Sequence, residues 1–304
     1  MHHERLTLRH LLSLKYVDAV ARTRSIRAAA KTVSITPSAL NRRIIALEEE
    51  LGVDLFERNS KGVRLNSAGE LFVQHIRSQI ADLERVRSQI ADLKGMRLGH
   101  IRIAATPEIA RYLLPLQVRK YRSEFPGVTF EIQVIERSEV ENALTSQTCD
   151  LAMSLEPNNT SEFHEILNIG QQIHAVIRTD HVLSNRTSLR LTECLEYDIL
   201  LPMRGNGLRE ALETASSKKR IKISPIIESN DLHLIQQIIS EGDGIGFTVP
   251  FFINSRDLKE NVCYVPLDLK EVALVKVFIG QLRYRTLPVA TAKFVENIRL
   301  FFEE

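Results

Sequence analysis

The stretch at residues 34–44, SITPSALNRRI, restricts the local fold of this chain more than any other segment. The Thr36 hydroxyl is a good helix N-cap, and Pro37 fits the first helical position, where its missing N–H costs nothing. The stretch therefore predicts a helix that begins here, continues to Leu51 and ends at Gly52. At about 100° per residue, one face of this helix is apolar, with Leu40, Ile44, Leu47 and Leu51. The opposite face carries Ser38, Asn41, Arg42 and Ile45.

The residues before this helix are small. Ala28, Ala29 and Ala30 belong to a short helix predicted for 26–32 and capped by Ser25. Their size lets it approach the next helix closely, as the corner of a helix-turn-helix requires. On the outward face, Asn side chains suit adenine edges, and Arg side chains suit guanine edges or phosphates. On this stretch alone, a plain surface helix with a polar face is an equally good interpretation.

The wider run over residues 8–70 favours the first interpretation. It contains TPSALNRRI, then LEEELGVDLFER, then Gly-Val-Arg-Leu at 62–65 and an Ala-Gly helix start at 68–69. In this order the run closely resembles the N-terminal domain of LysR-type transcriptional regulators, and the rest of the chain resembles that family in its pattern. The resemblance implies an N-terminal all-α winged helix-turn-helix, a long linker helix, and a two-lobed α/β effector domain similar to periplasmic binding proteins.

The same resemblance assigns residues to DNA. Positions matching those that face the major groove are Thr36, Pro37, Ser38, Asn41 and Arg42. Positions matching the wing and its base, where backbone or minor-groove contacts are expected, are Arg58, Lys61 and Arg64. For Arg58, the alternative is a hydrogen-bonded brace for the wing. Asn41 departs from the family, which has Ser or Thr there, so its base preference stays open.

The charge of the chain is unevenly divided. Residues 1–66 hold twelve basic and seven acidic side chains, a net +5, although the whole chain has a net charge of only +2. A basic N-terminal part on a mildly acidic body indicates a polyanionic partner for that part alone.

One long helix is predicted from Asn66 to about Lys94. Its apolar positions recur in steps of three and four, a coiled-coil-like spacing that favours a partner helix. The residues expected to form a dimer seam are Ile76, Ile80, Leu83 and Ile90. The expected domains are therefore a DNA-binding domain at 1–66, a dimerisation linker at 67–96 and an effector domain at 97–304.

After Gly99 the chain alternates between strands and helices, starting in βαβαβ order, which predicts a parallel sheet. The number of elements fits two α/β lobes. Crossovers near 167–170 and 265–273 would divide them into lobe I, at about 97–168 and 270–304, and lobe II, at about 169–269.

A cleft between two such lobes is a common place for a small ligand. By family position, its lining is expected to include Ala105, Thr106, Pro107, Ser154, Leu155, Met203, Arg204, Asn206, Ser229, Phe247 and Thr248, with Gly205 and Asn230 beside them. Thr106 precedes a helix, so its hydroxyl and the first N–H groups suit an anion, and small anions are among the expected effectors. The alternatives are that Thr106 only caps its helix and that Arg204 is only a loop residue.

Other chemistry has little support in the sequence. Cys149, Cys194 and Cys263 are far apart and form no C-x-x-C pair, so only folding would create a peroxide-sensing pair. The histidines have no metal-ligand spacing, and no nucleophile–base set is evident. GDGIGF at 242–247 follows a helix and precedes a strand, the reverse of a dinucleotide site. We therefore expect no cofactor, no metal and no catalytic residues, and, without an apolar spanning segment, a cytoplasmic location.

The leading hypothesis is a ligand-responsive transcription factor and not an enzyme. Its expected partners are double-stranded promoter DNA, a small-molecule effector, RNA polymerase and further copies of the chain, as a homodimer or homotetramer; no membrane is expected. The alternative is a small-molecule-binding or catalytic α/β protein whose N-terminal helices only mediate oligomerisation. The basic N-terminal part and the complete winged-helix pattern favour the first hypothesis.

Overall fold

The computed structural model describes residues 8–59, 62–93, 98–156, 163–242, 244–253 and 261–303. Contacts between residues divide the chain into two compact units, Met1–Arg87 and Ser88–Glu304. None of the helices in these ranges has both the length and the apolar character that crossing a membrane requires.

The described residues of the first unit form helices and one antiparallel hairpin. Along the chain these elements are α1 (Leu8–Thr23), α2 (Ile26–Thr32), α3 (Pro37–Leu51), β1 (Phe56–Asn59), β2 (Gly62–Leu65) and α4 (Ser67–Leu93), which continues into the second unit. The helices predicted for 26–32 and from Thr36 to Leu51 are confirmed, as are the hairpin and the long helix after Asn66.

The boundaries of these helices follow from their cap residues. Ser25 accepts a hydrogen bond from the Ala28 amide at 3.3 Å, and Thr36 accepts one from Ala39 at 3.2 Å. Gly52 ends α3 in the left-handed region at φ 69°, which a residue with a side chain rarely adopts. The Asn66 side chain accepts from the Gly69 amide at 2.8 Å and so starts α4.

The core of the first unit lies between α1, α2, α3 and the start of α4. Ala29 and Ala30 are fully buried where α2 meets its neighbours, which confirms close packing at the corner. Leu40 and Ile44 bury the apolar face of α3 in the same cluster. The opposite face of α3 is thereby left outside the core.

Ile76 lies in this core and not on a dimer seam. Its side chain is 0% exposed and packs in the same cluster as Val73, while Ile80 is partly buried against it. The periodicity of α4 was correctly detected, but its first turns bury their apolar stripe within the protomer. The structure thus differs from the dimerisation role predicted for Ile76.

The second unit alternates strands and helices, as predicted. Its described strands are β3 (Gly99–Ala105), β4 (Val128–Val134), β5 (Leu151–Leu155), β6 (Phe163–Gln171), β7 (His174–Arg178), β8 (Leu200–Pro202), β9 (Ile227–Ser229), β10 (Gly246–Thr248), β11 (Val262–Pro266) and β12 (Val275–Leu282). Its described α-helices are α5 (Leu114–Glu124), α6 (Val140–Thr145), α7 (Leu191–Cys194), α8 (Gly207–Lys218), α9 (Leu232–Glu241), α10 (Pro250–Ile253) and α11 (Val289–Glu303).

These strands form two lobes. Lobe I contains a five-stranded sheet in the order β4-β3-β5-β12-β6, in which β3 is parallel to β4 and β5 and the other pairs are antiparallel. Lobe II contains a three-stranded sheet, β10-β7-β11, and a parallel pair, β8-β9. The parallel β3-β4-β5 arrangement predicted from the βαβαβ order is confirmed.

The first crossover lies later than predicted. β6 stays paired with β12 through Gln171, so the chain leaves lobe I after this residue and not near 167–170. β6 is an edge strand with few fully buried side chains, and its weak alternation explains why the sequence did not reveal it.

The helix after β3 begins irregularly. Residues Ile109–Leu113 form a π-helical turn that continues into α5. Pro115 has no N–H to donate to the residue four positions earlier, which favours a wider turn here. Such turns occur often at functional sites, and this one follows directly on Glu108.

Replacing Ile76 by Ala tests its place in the core. We expect Ile76→Ala to lower the free energy of unfolding by about 2–5 kcal/mol, because it leaves a cavity among buried side chains. Chemical denaturation measures this change, and the exposed Glu49→Ala on α3 serves as control, with an expected effect within about 0.5 kcal/mol. Equal, small effects of both substitutions would contradict the core assignment.

Candidate nucleic-acid interface and ligand cleft

The outward face of α3 is polar and accessible. Thr36, Pro37, Ser38 and Arg42 are exposed, and Asn41 is half-buried. The Thr36 and Ser38 hydroxyl oxygens are 3.3 Å apart, so the start of the helix presents a small polar cluster. The apolar side chains behind it hold this face in a fixed direction.

The buried carboxylate of Glu48 joins α3 to the hairpin. Its Oε1 atom accepts hydrogen bonds from the main-chain N–H groups of Leu55, at 2.8 Å, and Phe56, at 3.1 Å. Its Oε2 atom lies 3.7 Å from Nη2 of Arg58. Because Glu48 is only 7% exposed, these partners compensate the loss of hydration of its charge. The start of β1 is thereby fixed relative to α3.

A second bond connects the outward face of α3 to the hairpin. Arg58 Nη1 donates to Oδ1 of Asn41 at 2.8 Å. This is the brace interaction left open for Arg58, made to the position at which the chain departs from its family. The carbonyl oxygen of Asn41 is engaged by this bond, and its amide nitrogen carries the remaining donors.

The hairpin itself is anchored at β2. The Val63 amide donates to the Arg24 carbonyl at 3.1 Å, and Gly62 has φ 126°, with space beside it for no more than a hydrogen. Arg64, on β2, is exposed. Lys61, predicted to contact DNA, lies outside the described residues.

A cavity of about 160 Å³ lies where lobe I and lobe II meet. The expected residues that line it are Thr106, Pro107, Met203, Arg204 and Asn206, together with Gly205 and Asn230. They come from the end of β3, from the loop after β8 and from the segment after β9. These three chain segments, which were expected to form a cleft, line one cavity.

Six expected cleft residues do not line this cavity. All six belong to strands and are buried: Ala105, Ser154, Leu155, Ser229, Phe247 and Thr248. The hydrophobic members pack into the large core of the second unit, and the Ser229 hydroxyl accepts from the Asp231 amide at 3.0 Å. Because successive side chains of a strand face opposite sides, being near a strand end was not sufficient to reach the cleft.

Five lining residues were missed: Glu108, Glu136, Arg137, Ser138 and Pro202. A signal for three of them was present, since residues 136–138 follow β4, and the carboxyl ends of parallel strands commonly carry ligand sites. The ends of β3 and of β5, with Ser154 and Leu155, were expected to line the cleft, but the end of β4 was not.

Arg137 bridges the two lobes across the cavity. Its Nε donates to the main-chain oxygen of Glu156 in lobe I. Its Nη1 lies 2.7 Å from Oε2 of Glu210 and 3.3 Å from the Gly205 oxygen, both in lobe II. The guanidinium thus ties the lobes together at one rim of the cavity.

Glu108 is a buried acid in the same cavity. It is 8% exposed, and burial raises the pKa of its carboxyl above the ordinary value. Its own main-chain N–H, the Thr106 hydroxyl and Arg137 partly offset that rise in pKa, while Glu136 adds to the rise. The Thr106 hydroxyl acts without meeting hydrogen-bond geometry. No cation among the described residues lies within ion-pair distance of Glu108.

Thr106 is also buried and lacks a partner for its side chain. The residue is 1% exposed, and its Oγ1 atom makes no hydrogen bond with any described residue. Its main-chain oxygen accepts from Ala110 at 2.9 Å, which begins the helix. The hydroxyl therefore lines the cavity without being used as a cap.

An adjoining cavity of about 260 Å³ shares Pro107, Glu108 and Asn230 with the first. At its edge Arg111 of lobe I lies 3.2 Å from Asp231 of lobe II. Both lobes are therefore linked by an ion pair at this cavity too.

The cysteines are poorly placed for redox chemistry. Cys149 and Cys194 are buried as free thiols, and burial raises the pKa of each to about 12. Burial also raises the pKa of Cys263. Within the residues that the structure describes, no group of three or more His, Cys, Asp or Glu side chains is arranged to hold a metal ion.

Comparisons with known proteins agree with this architecture. The family model described as the LysR substrate binding domain matches residues 94–302, and that of the lysR-family bacterial regulatory helix-turn-helix protein matches 11–70. The chain therefore belongs to the LysR family of transcriptional regulators: it is a DNA-binding regulator with an effector-binding domain.

Individual relatives cover nearly the whole chain. The transcriptional dual regulator GltC of Bacillus subtilis (strain 168) is 26% identical over 97% of this chain and 98% of its own length. A full-length OxyR variant from Pseudomonas aeruginosa has a TM-score of 0.78 at 20% identity, covering 98% of this chain and 96% of that one. Full-length CbnR, solved with its target DNA, has a TM-score of 0.63 at 20% identity, covering 95% and 99%.

Thiol labelling tests the state of the cysteines. Because the thiolate is the reactive form, we expect Cys149 and Cys194 to react with a disulfide reagent only after unfolding, even near the ordinary thiol pKa of about 8.5. Any faster reaction should come from the half-buried Cys263 and disappear in Cys263→Ser. Rapid labelling of all three thiols in the native protein would refute this account.

Proposed function

We propose that α3 enters the major groove of promoter DNA and that the hairpin contacts the adjacent backbone or minor groove. The observation that carries this proposal is the outward face of α3, with exposed Ser38 and Arg42 and half-buried Asn41. A buried apolar face holds it outward, and Arg58 joins it to β1. Thr36 and Pro37 form the start of the helix, which binds a phosphate of the DNA backbone. Arg64 contributes a further contact with DNA. The same contact is proposed for Lys61, because its sequence position matches the wing of the family.

Arg58 has a dual role in this proposal. Its bond to Asn41 fixes the amide of Asn41 for contact with a base, while its side chain, 43% exposed, remains accessible to a phosphate. Operator choice would then depend on the Asn41–Arg58 pair and not on Asn41 alone.

We propose further that a small effector binds where Thr106, Pro107, Met203, Arg204 and Asn206 meet, and that it changes the regulator through the lobes. The bridges from Arg137 to Glu210 and from Arg111 to Asp231 cross between the lobes, so a ligand that binds one lobe arrangement better shifts the equilibrium toward it.

Assembly is proposed to depend on α4 beyond the core of the first unit. Ile90 is 49% exposed and Val86 42%, with Leu83 half-buried on the same helix. Together with the outer side of Ile80, these residues would form the dimer seam, and pairing of effector domains would give a homotetramer. Contact with RNA polymerase, a cytoplasmic location and the lack of a catalytic step are proposed from membership of a family of regulators.

A DNA-binding assay tests the central proposal. The protein should bind a fragment of its own upstream region at low salt, with a steep loss of affinity as salt rises. Arg42→Ala should weaken specific binding by about 1–3 kcal/mol without unfolding the protein. The control is Arg119→Ala, which removes another exposed arginine, from the second unit.

Two results would contradict the proposal. If no upstream fragment binds at low salt, the DNA-binding role proposed for this surface is wrong. If Arg42→Ala and Arg119→Ala bind equally well, Arg42 is not part of the recognition face.

A further inference from the structure

The charges in the cleft are not balanced pair by pair. Arg137 has Glu210 and the Glu156 main-chain oxygen as partners, and Arg111 has Asp231. Glu108, by contrast, is buried in the wall common to both cavities, and no cation of the described residues lies within ion-pair distance of it. Arg137 and Arg111 thus have acceptors, and a third arginine, Arg204, also lines the first cavity. The most deeply buried carboxylate of the cleft has no cation within ion-pair distance among the described residues.

A second group in the same wall points to the same conclusion. Thr106 is 1% exposed, lines the cavity and has no hydrogen-bond partner for its hydroxyl among the described residues. Buried polar groups without partners cost free energy and are rare in native proteins, unless a ligand or water supplies the missing bond. Asn230, which both cavities share, adds a side-chain carbonyl oxygen.

Each of these groups can accept a hydrogen bond. A carboxylate accepts only, a hydroxyl and a carboxamide can accept, and an ammonium group brings three donors and a positive charge. An anion would have to approach Glu108 against like charge in a place with little water to screen it. The chemistry of this wall therefore disfavours the anionic effector suggested by Thr106 at its helix start.

We propose that the effector is a small molecule with a protonated amine, whose ammonium group binds Glu108 and is shared with the Thr106 hydroxyl and the Asn230 carbonyl oxygen. This inference rests on the proposed role of the cavity as the effector site. Arg137 and Arg204 line the same cavity and can hold a polar or anionic second end of the same molecule.

Pairs of compounds that differ only in the amine provide the test. Thermal shift and calorimetry of the full-length protein would compare 1,4-diaminobutane with 1,4-butanediol, 1-aminobutane with 1-butanol, and 4-aminobutanoate with butanoate. At least one amine should give a saturable shift that its amine-free counterpart does not give. Glu108→Gln should weaken that binding by about tenfold or more, since a charge-assisted bond is lost. Glu124→Gln, at the exposed end of α5, should bind as the wild type does.

Two further measurements separate a ligand role from a structural one. Without ligand, Glu108→Gln should melt at the same temperature or higher, because it removes a buried charge. A lower melting temperature would mean that Glu108 serves the start of its helix, and the proposal would be wrong. Thr106→Val should keep the fold and weaken amine binding, which gives an independent test of the same wall.

Other outcomes also decide the matter. Butanoate binding more tightly than the amines, or amines binding equally to wild type and Glu108→Gln, would overturn the amine assignment while leaving the cavity as an effector site. Failure of every amine to bind the wild type would overturn it as well. The DNA assay with Arg42→Ala does not depend on these results, so the regulator function and the effector class can fail separately.

Discussion

The buried carboxylate of Glu48 is the interaction on which the geometry of the first unit depends. It is part of α3, yet its oxygens are used by the Leu55 and Phe56 amides at the start of the hairpin and face Arg58. One charge thus fixes two elements that are both needed for contact with a duplex. The Arg58–Asn41 bond extends this network to the outward face of α3.

The second unit uses charge in the opposite way. Arg137 and Arg111 join the lobes through paired groups, whereas in the described part of the cleft the Thr106 hydroxyl has no hydrogen-bond partner and the Glu108 carboxyl has no ion-pair partner. The paired bridges hold one arrangement of the lobes. Groups without a partner gain free energy when they bond to a ligand. A ligand that satisfies Glu108 would act in the cavity that Arg137 also lines, so that occupancy and lobe arrangement are coupled locally.

Local rules were sufficient for much of the fold. Thr36, Pro37 and Gly52 determine both ends of α3, and the βαβαβ order gave the parallel part of lobe I. Long-range contacts were not accessible in the same way: the Arg58–Asn41 bond joins residues 17 positions apart. Periodicity does not encode the packing that decides on which side of its strand Ser154 or Thr248 lies. It also does not encode which partner covers Ile76. Glu108 was missed because a first-turn acid has an ordinary explanation, favourable interaction with the helix dipole.

The most direct test of the account compares two neighbouring glutamates of α3 in DNA binding. Glu48→Gln keeps an acceptor for the hairpin amides but removes the charge facing Arg58, while Glu49→Gln removes an exposed charge with no such partner. If the network aligns helix and wing, affinity for the upstream fragment falls in Glu48→Gln at unchanged helical content, and Glu49→Gln binds as tightly as wild type or more tightly. Equal gains in both variants, as expected from net charge alone, would contradict the account.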